Sequence, residues 1–387
     1  MKLIIFTLKV VLISCILLSC TSDKESSDKA SKGPVYIALA APLSGPLSDF
    51  GWSMLRGARM RIGDDKDETP CTGRSVKLVV LDDKGDATEA LKLAKNISGR
   101  QSMVAVIGHL TTVCTLAAIP MYNSAELIHI SPVATGDNLE RIMSPYTFRT
   151  ILSESEQAMS LADRLYRTID VKKVVLVCEG SPLGDLLKNS FLLRSREIGL
   201  SVDTIPVQGN SFPDLTQTID RILTMRPGAI FLAGGPKLAA LIIRELPRKV
   251  RSPLVFGTYR IISEEFVELA GRHSTKILAA HPCVWRSDFK KGRDVKTKYE
   301  RKFKHNMDWV AVQTYDAVDL LLWVIEKAGT NAHSIRRVLQ DLNSSSKALL
   351  GLAGPIWFNS NGSLARGVTV AAYTDSGWKL REELVAQ

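Results

Sequence analysis

The sequence predicts an α/β protein with two lobes, each built on a doubly wound parallel sheet. The chain has 387 residues, and a domain usually takes about 100–200 residues, so two domains are expected. From residue 35 onward, short apolar segments alternate with segments of helical period. This alternation is typical of parallel strands that are covered by helices on both faces. The pattern restarts after a seam near residues 147–153, which predicts two units of similar size.

In the first unit, each apolar segment is short enough to be a strand and is followed by a longer segment of helical period. The predicted strands are 35–40, 76–81, 103–107 and 127–130. The predicted helices are 49–62, 87–97 and 113–124, the last of which contains Pro120. We expect ligand-binding loops at the carboxyl ends of these strands, at residues 41–52, 108–114 and 131–138.

The second unit repeats the alternation, and the tail departs from it. The predicted strands are 174–177, 202–207, 229–233 and 254–256. The predicted helices are 155–168, 184–198, 213–224 and 238–246. The corresponding strand-end loops are 178–184, 233–236 and 257–260. The tail has predicted helices at 294–304, 311–328 and 333–342, a strand and turn at 354–362 and a strand at 368–373. We expect it to complete the two lobes rather than to form a third domain.

The first 33 residues differ from the rest of the chain. Residues 1–19 form a short, mostly apolar run, which fits a secretory signal peptide better than a membrane-spanning helix. The run ends in Ser19-Cys20 and resembles a bacterial lipobox, in which the signal is cut before a cysteine that is then lipidated; Leu18 is bulkier than usual there. Residues 20–33 are polar and suit a flexible tether. A plain signal peptide with an incidental cysteine is the alternative.

Charge and cysteine content narrow the possible functions. The formal net charge is +10, but nucleic-acid binding needs a basic stripe with interleaved aromatic residues. The basic segment 290–304 also contains acidic residues and is typical of a solvated helix face. Four cysteines follow Cys20, at positions 71, 114, 178 and 283, and their pairing is open, with buried free thiols as one alternative.

The sequence lacks the motifs of three common classes of enzyme site. It contains no GxSxG, HExxH or GxxxxGK[ST] segment. None of the six histidines has a histidine or cysteine at i+3 or i+4. Asp82-Asp83 suits paired carboxylates or the ordinary acidic end of a strand, and the second interpretation is preferred. We therefore expect no enzyme activity, no cofactor and no metal site.

Two strand-end loops indicate binding instead. In each, an apolar strand runs into small and hydroxyl residues, Gly108 to Thr112 in one and Ser131 to Thr135 in the other. The first loop opens a helix, whose free N–H groups and dipole favour a carboxylate or other anion. Thr111 or Thr112 also suits a simple N-cap, and a cap can share its position with a ligand.

These segments resemble the leucine/isoleucine/valine-binding protein family, the type I periplasmic binding proteins of bacterial ATP-driven amino-acid importers. The resemblance covers residues 34–375 and rests on five segments in the right order. They are APLSGP at 41–46 with Gly51, LDD at 81–83, VIGHL at 106–110, ISPVAT at 130–135 and GPIWF at 354–358.

The resemblance implies two lobes joined by three crossing segments, near residues 148–153, 280–285 and 344–354. Residues 34–150 and 283–345 would form the first lobe, and residues 151–282 and 346–387 the second. The lobes of this family close on a ligand about a hinge.

The resemblance also implies binding roles. Thr112 would bind a ligand carboxylate beside Thr111, the Val133 carbonyl would accept from an ammonium, and Thr135, next to Ala134, would serve both groups. Phe50 would line the pocket. The second lobe departs from the family, because Leu183 replaces an aromatic residue and Tyr259 stands where amino-acid binders have an acid. An unpaired buried ammonium is costly, so the ligand is an amino acid, an amide, a neutral solute or an organic acid, aromatic ones included.

The sequence therefore predicts the solute-binding lipoprotein of an ABC importer of the branched-chain amino acid type. Its expected partners are a small solute, the permease subunits and, through the lipid on Cys20, a membrane. The expected location is the cell envelope, facing the periplasm or the outside. A receptor subunit of the same fold, which senses a solute and signals to a membrane partner, is the alternative.

Overall fold

Parallel sheets organise both lobes in the computed structural model, which describes residues 33–63, 70–207, 215–246, 253–283, 289–374 and 377–380. From Val35 onward the chain is one compact unit. The predicted signal peptide, Cys20 and nearly all of the tether lie outside the described residues. No helix in the described part of the chain is long and apolar enough to cross a membrane.

The first lobe contains a five-stranded, fully parallel sheet in the order β2-β1-β3-β4-β5. The central strands β1 and β3 are almost completely buried, which explains their unbroken apolar sequence. The strands are β1 (Val35–Ala41), β2 (Val76–Asp82), β3 (Met103–Gly108), β4 (Ile128–Ser131) and β5 (Thr147–Arg149). Helices α1 (Ser48–Ile62), α2 (Ala87–Ser98) and α3 (Thr112–Ser124) connect them, and a 3₁₀ turn covers Asp137–Arg141.

The second lobe contains a seven-stranded sheet in the order β14-β13-β10-β9-β8-β6-β7, parallel except for β13 and β14. The strands are β6 (Lys173–Glu179), β7 (Ser201–Val207), β8 (Ala229–Ala233), β9 (Leu254–Gly257), β10 (Ile277–His281), β13 (Thr369–Thr374) and β14 (Gly377–Leu380). The helices are α4 (Glu154–Asp163), α5 (Pro182–Ile198), α6 (Thr216–Met225), α7 (Pro236–Glu245) and α8 (Glu264–Ala270). A π-helical turn at Arg164–Thr168 extends α4.

The tail returns to the first lobe before it joins the second sheet. It contains α9 (Lys290–Phe303), α10 (Trp309–Ala328), α11 (Ala332–Asp341) and a small hairpin, β11 (Leu349–Gly351) and β12 (Gly354–Ile356). Helix α10 packs along α1, and Gly57 permits this close approach because a Cβ there would lie 2.3 Å from the Ala311 carbonyl oxygen. The predicted α/β fold with two doubly wound lobes is confirmed.

Three segments cross between the sheets, after β5, after β10 and before β13, and together they enclose a cavity of about 20 Å³. The β11–β12 hairpin lies with the first lobe, since the Leu352 and Ala353 amides donate to Asp316 of α10 at 2.7 and 2.8 Å. Ser363 still pairs with Arg149 at the end of β5. We therefore propose that the third crossing covers residues 364–368, later than the predicted 344–354, which moves the lobe boundary from residue 345 to about 364.

The four described cysteines, Cys71, Cys114, Cys178 and Cys283, are free and buried. Burial raises the pKa of each thiol, to about 11 for Cys71. Of the alternatives left open by the sequence, buried free thiols are the one observed among the described residues.

Candidate functional site

Loops at the carboxyl ends of both sheets meet in a small polar cluster between the lobes. Thr135 follows β4 of the first lobe and Tyr259 follows β9 of the second, and their hydroxyl oxygens lie 2.8 Å apart. Each hydroxyl also lies 3.1 Å from Oε1 of Glu154, the first residue of α4. Two residues predicted from the sequence thus come together, and a third residue that was not predicted joins them.

Glu154 is the acid of this cluster, and only 3% of its side chain is exposed. Its Oε1 also accepts from Nε of Arg260 at 2.9 Å. Its Oε2 is buried and has no hydrogen-bond partner within the described part of the chain. Burial raises the pKa of Glu154, and the Arg260 charge and the three hydrogen bonds oppose that rise.

A cavity of about 450 Å³ opens beside this cluster. One wall comes from the first lobe, one from the second, and Glu154 and Arg260 lie on its polar side. The lining residues are Gly136, Asp137, Asn138, Arg141, Glu154, Pro182, Leu183, Leu186 and Arg260. Pro182, Leu183 and Leu186 give it an apolar side, and this combination of an apolar surface with a few polar groups is typical of small-molecule sites.

The two threonines at the start of α3 have different roles. Thr111 is the N-cap of the helix, since its hydroxyl accepts from the Cys114 amide at 3.2 Å. The Thr112 hydroxyl accepts from the Gly136 amide at 3.0 Å and thereby holds the loop that lines the cavity. A hydroxyl that accepts one hydrogen bond can still donate its own proton, so the Thr112 hydroxyl remains able to donate a hydrogen bond to a ligand.

A buried network fixes the loop that precedes α3. His109 Nδ1 lies 2.6 Å from Oδ2 of Asp83, and its Nε2 lies 3.0 Å from the Tyr122 hydroxyl. His129 Nε2 lies 2.6 Å from the Gly108 carbonyl oxygen, and burial with the nearby His109 lowers its pKa to about 3. The Asp83 carboxylate therefore has a structural partner, and the network positions the α3 N-terminus.

Tyr259 is held from several sides. Its amide donates to Oε1 of Gln157 at 3.2 Å, and its ring packs edge-on against Trp309 at 5.9 Å between centroids. Burial and the neighbouring Glu154 raise the pKa of its phenol. Tyr259 therefore contributes a neutral hydroxyl where the resemblance implied a carboxylate.

Of the remaining predicted site residues, one lines the cavity and the others do not. Leu183 lines it, and Val133 and Ala134 are buried in the β4 loop. Phe50 is 46% exposed and is not among the residues that line the cavity. The structure tests no binding role, so all of these assignments stay predictions.

Glu154 was missed by the sequence analysis. Its only local signal is that it follows Ser153, which forms a capping box with Glu156 at the start of α4. A capping box predicts a helix start rather than a binding acid. No group of three or more potential metal ligands occurs in the described ranges.

Comparisons with known proteins agree with this architecture. A family model described as periplasmic binding protein matches residues 34–377. The Leu/Ile/Val-binding protein homolog 3 of Brucella melitensis is 22% identical over 340 residues, which cover 87% of this chain and 90% of the relative.

Two solved structures share the fold at low identity. The branched-chain amino acid transporter substrate-binding protein of Streptococcus pneumoniae, in complex with isoleucine, has a TM-score of 0.67 at 20% identity and covers 90% of this chain and 99% of that one. A solute-binding protein of an ABC transporter from R. palustris, in complex with benzoate, has a TM-score of 0.65 at 18% identity and covers 90% and 96%.

Proposed function

The chain belongs to the periplasmic binding protein family, and we propose that it captures a small solute in the cavity between its lobes for an ABC importer. The observation that carries this proposal is the cavity itself, whose walls come from strand-end loops of both lobes. A solute bound there contacts both lobes at once and stabilises their approach. Membership of this family also supports a location of the protein outside the cytoplasm and an interaction with the permease subunits of the importer.

The relatives support a solute that carries a carboxylate or a related polar head. Curated relatives are named for leucine, isoleucine and valine, and solved structures of the same fold contain isoleucine or benzoate. In this chain the Arg260 side chain lines the cavity and offers donors to such a head, and Thr112 holds the Gly136 loop of the same cavity.

A thermal-shift screen of the purified protein tests solute capture. The panel contains L-leucine, isocaproamide, isocaproate and benzoate. A ligand present at 100 times its Kd stabilises a protein by about 2.7 kcal/mol, which shifts the melting temperature measurably. At least one member is expected to raise it. If no member of the panel does so at millimolar concentration, the proposed function is contradicted.

The lipid anchor is a separate part of the proposal and rests on Leu18-Ser19-Cys20 and the polar segment that follows. A lipid on Cys20 would hold the protein at the membrane surface. The variant Cys20→Ala is expected to move from the membrane fraction to the soluble fraction of the cell. Unchanged membrane association would refute the anchor and leave solute capture untouched.

A further inference from the structure

Resting on the proposed function, we propose that Oε2 of Glu154 accepts a hydrogen bond from an N–H group of the solute. Glu154 would then do the work of the acid that amino-acid binders have at the position of Tyr259. It comes from the start of α4, whereas that acid comes from the loop after β9. The solute class follows, namely an amino acid or a primary amide rather than a simple carboxylic acid.

The first argument concerns the unused oxygen. Oε1 of Glu154 accepts from Thr135, Tyr259 and Arg260, at distances of 3.1, 3.1 and 2.9 Å. Oε2 is buried without a hydrogen-bond partner among the described residues. Leaving a buried charged acceptor unpaired is costly. Glu154 lines the cavity, and a donor group of a bound solute is the partner that we assign to this oxygen.

The second argument concerns the charges around the cavity. Arg260 uses Nε for Glu154, and its side chain is 46% exposed beside the cavity. Glu154 and Arg260 therefore offer an acceptor and a cationic donor from the second lobe, and Asp137 and Arg141 line the same cavity from the first. A primary amide presents an N–H group and a carbonyl oxygen together, and an amino acid presents an ammonium and a carboxylate, so both match the pair.

A simple carboxylic acid matches the pair of Glu154 and Arg260 less well. Its carboxylate has no proton to give to Oε2 at neutral pH, and two carboxylates that approach each other repel. Burial strengthens that repulsion because water screens it less. The walls of Pro182, Leu183 and Leu186 accept an apolar body of either kind of solute, so the head group decides between them.

The test compares three probes that share one carbon skeleton, L-leucine, isocaproamide and isocaproate, by isothermal titration calorimetry on the purified protein. L-leucine or isocaproamide is expected to bind, and isocaproate is expected to bind at least about tenfold more weakly, the scale of one hydrogen bond to a charged group. This comparison needs no variant. The inference would be overturned if isocaproate bound as tightly as the tighter-binding of the two probes that carry an N–H donor, L-leucine and isocaproamide.

The variant Glu154→Gln tests the residue itself. The three donors around Oε1 hold the amide oxygen of the glutamine, so its NH₂ group replaces the acceptor and faces the solute N–H. Affinity for the donor-bearing probe is expected to fall about tenfold or more. Glu154→Asp, which keeps the charge, is expected to retain more affinity than Glu154→Gln. Glu265→Gln, the same change at an exposed position of α8, is the matched control and is expected to bind like the wild type.

The outcomes separate this inference from the proposed function. If Glu154→Gln binds L-leucine or isocaproamide as tightly as the wild type, solute capture stands and the role of Glu154 is overturned. If benzoate alone binds, solute capture again stands and the solute class is wrong. If none of the four compounds binds, the proposed function fails and the inference fails with it.

Discussion

At the scale of single residues, the cluster around Glu154 shows how a carboxylate is kept inside the protein. Three donors converge on one of its oxygens, and the positive charge of Arg260 opposes the effect of burial on its pKa. A buried acid without such partners would be protonated at neutral pH. The Arg260 charge and the three hydrogen bonds favour the ionised form of this carboxyl and oppose the effect of burial.

Binding of a donor-bearing probe is predicted to depend on pH through Glu154. The pKa of this carboxyl is raised above its ordinary value of 4.5, and only the ionised form carries a full negative charge. Affinity for L-leucine should therefore be constant at high pH and should fall as pH decreases through the raised pKa, earlier than an ordinary glutamate would cause. Arg260 and Tyr259 are the charged and titratable groups that contact Glu154, and both keep their protons over this range.

Calorimetric titrations between pH 8 and pH 4.5 measure this dependence. Glu265→Gln should follow the wild-type profile, since it leaves the cluster intact. A wild-type affinity that stays flat over the whole range would contradict the prediction.

The hydroxyl of Thr135 is predicted to matter for binding because it contacts both Glu154 and Tyr259. Thr135→Val keeps the side-chain shape and removes this hydroxyl. Affinity for L-leucine is expected to fall about fivefold to tenfold, the scale of one hydrogen bond. Thr224→Val, at an exposed helical position, is the control, and equal affinities of the two variants would argue against the role of Thr135.

Single residues were predictable from the sequence only where a local rule applies. A hydroxyl residue directly before a helix predicts a cap, and Thr111 is that cap. Glu154 gives no such signal, because its contacts with Thr135 and Tyr259 span 19 and 105 residues of sequence. Such contacts depend on the packing of two lobes, which one-dimensional spacing does not encode.

At the scale of elements, a buried acid of α10 lies beside an arginine of the third crossing. Asp316 of α10 is 1% exposed, and burial raises its pKa to about 6. Arg366 of the third crossing donates to the carbonyl oxygens of Pro282 and Ala353 and opposes that rise. One arginine thus links the second crossing, the β11–β12 hairpin and the third crossing.

Replacing Arg366 with methionine is predicted to destabilise the protein by about 2–4 kcal/mol. The change leaves two carbonyl oxygens without their donor and removes the positive charge that opposes burial of Asp316. Urea unfolding measures the loss. Arg167→Met removes an exposed ion pair with Asp163 and should cost less than about 1 kcal/mol. Equal losses in the two variants would refute a special role for Arg366.

Elements with a long periodic sequence were the most predictable. Helices α1, α2 and α10 and strands β1, β2 and β8 lie within one or two residues of their predicted limits. The strand β5 was missed because three residues carry no period of their own, and β10, which has as many residues as β8, was also missed. Both gain their hydrogen bonds from neighbouring strands, which is a tertiary effect.

At the scale of the whole molecule, two doubly wound sheets place their strand-end loops on opposite sides of one cavity. The order β2-β1-β3 in the first sheet and β8-β6-β7 in the second puts a reversal of strand order in each lobe. Such reversals open a crevice at the carboxyl ends of the strands. The alternation of strands and helices predicted this architecture, whereas the later position that we propose for the third crossing rests on contacts of the hairpin with α10.

The central claim is that a solute binds between the lobes, and cavity-filling substitutions on each wall test it most directly. Asn138→Trp fills the cavity from the first lobe and Leu183→Trp fills it from the second. Lys95→Trp, on the exposed face of α2, is the control. The measurement is calorimetric binding of L-leucine to all three folded variants. We predict that both cavity variants lose at least about tenfold in affinity and that the control binds like the wild type. Unchanged binding in both cavity variants would place the solute elsewhere and contradict the account.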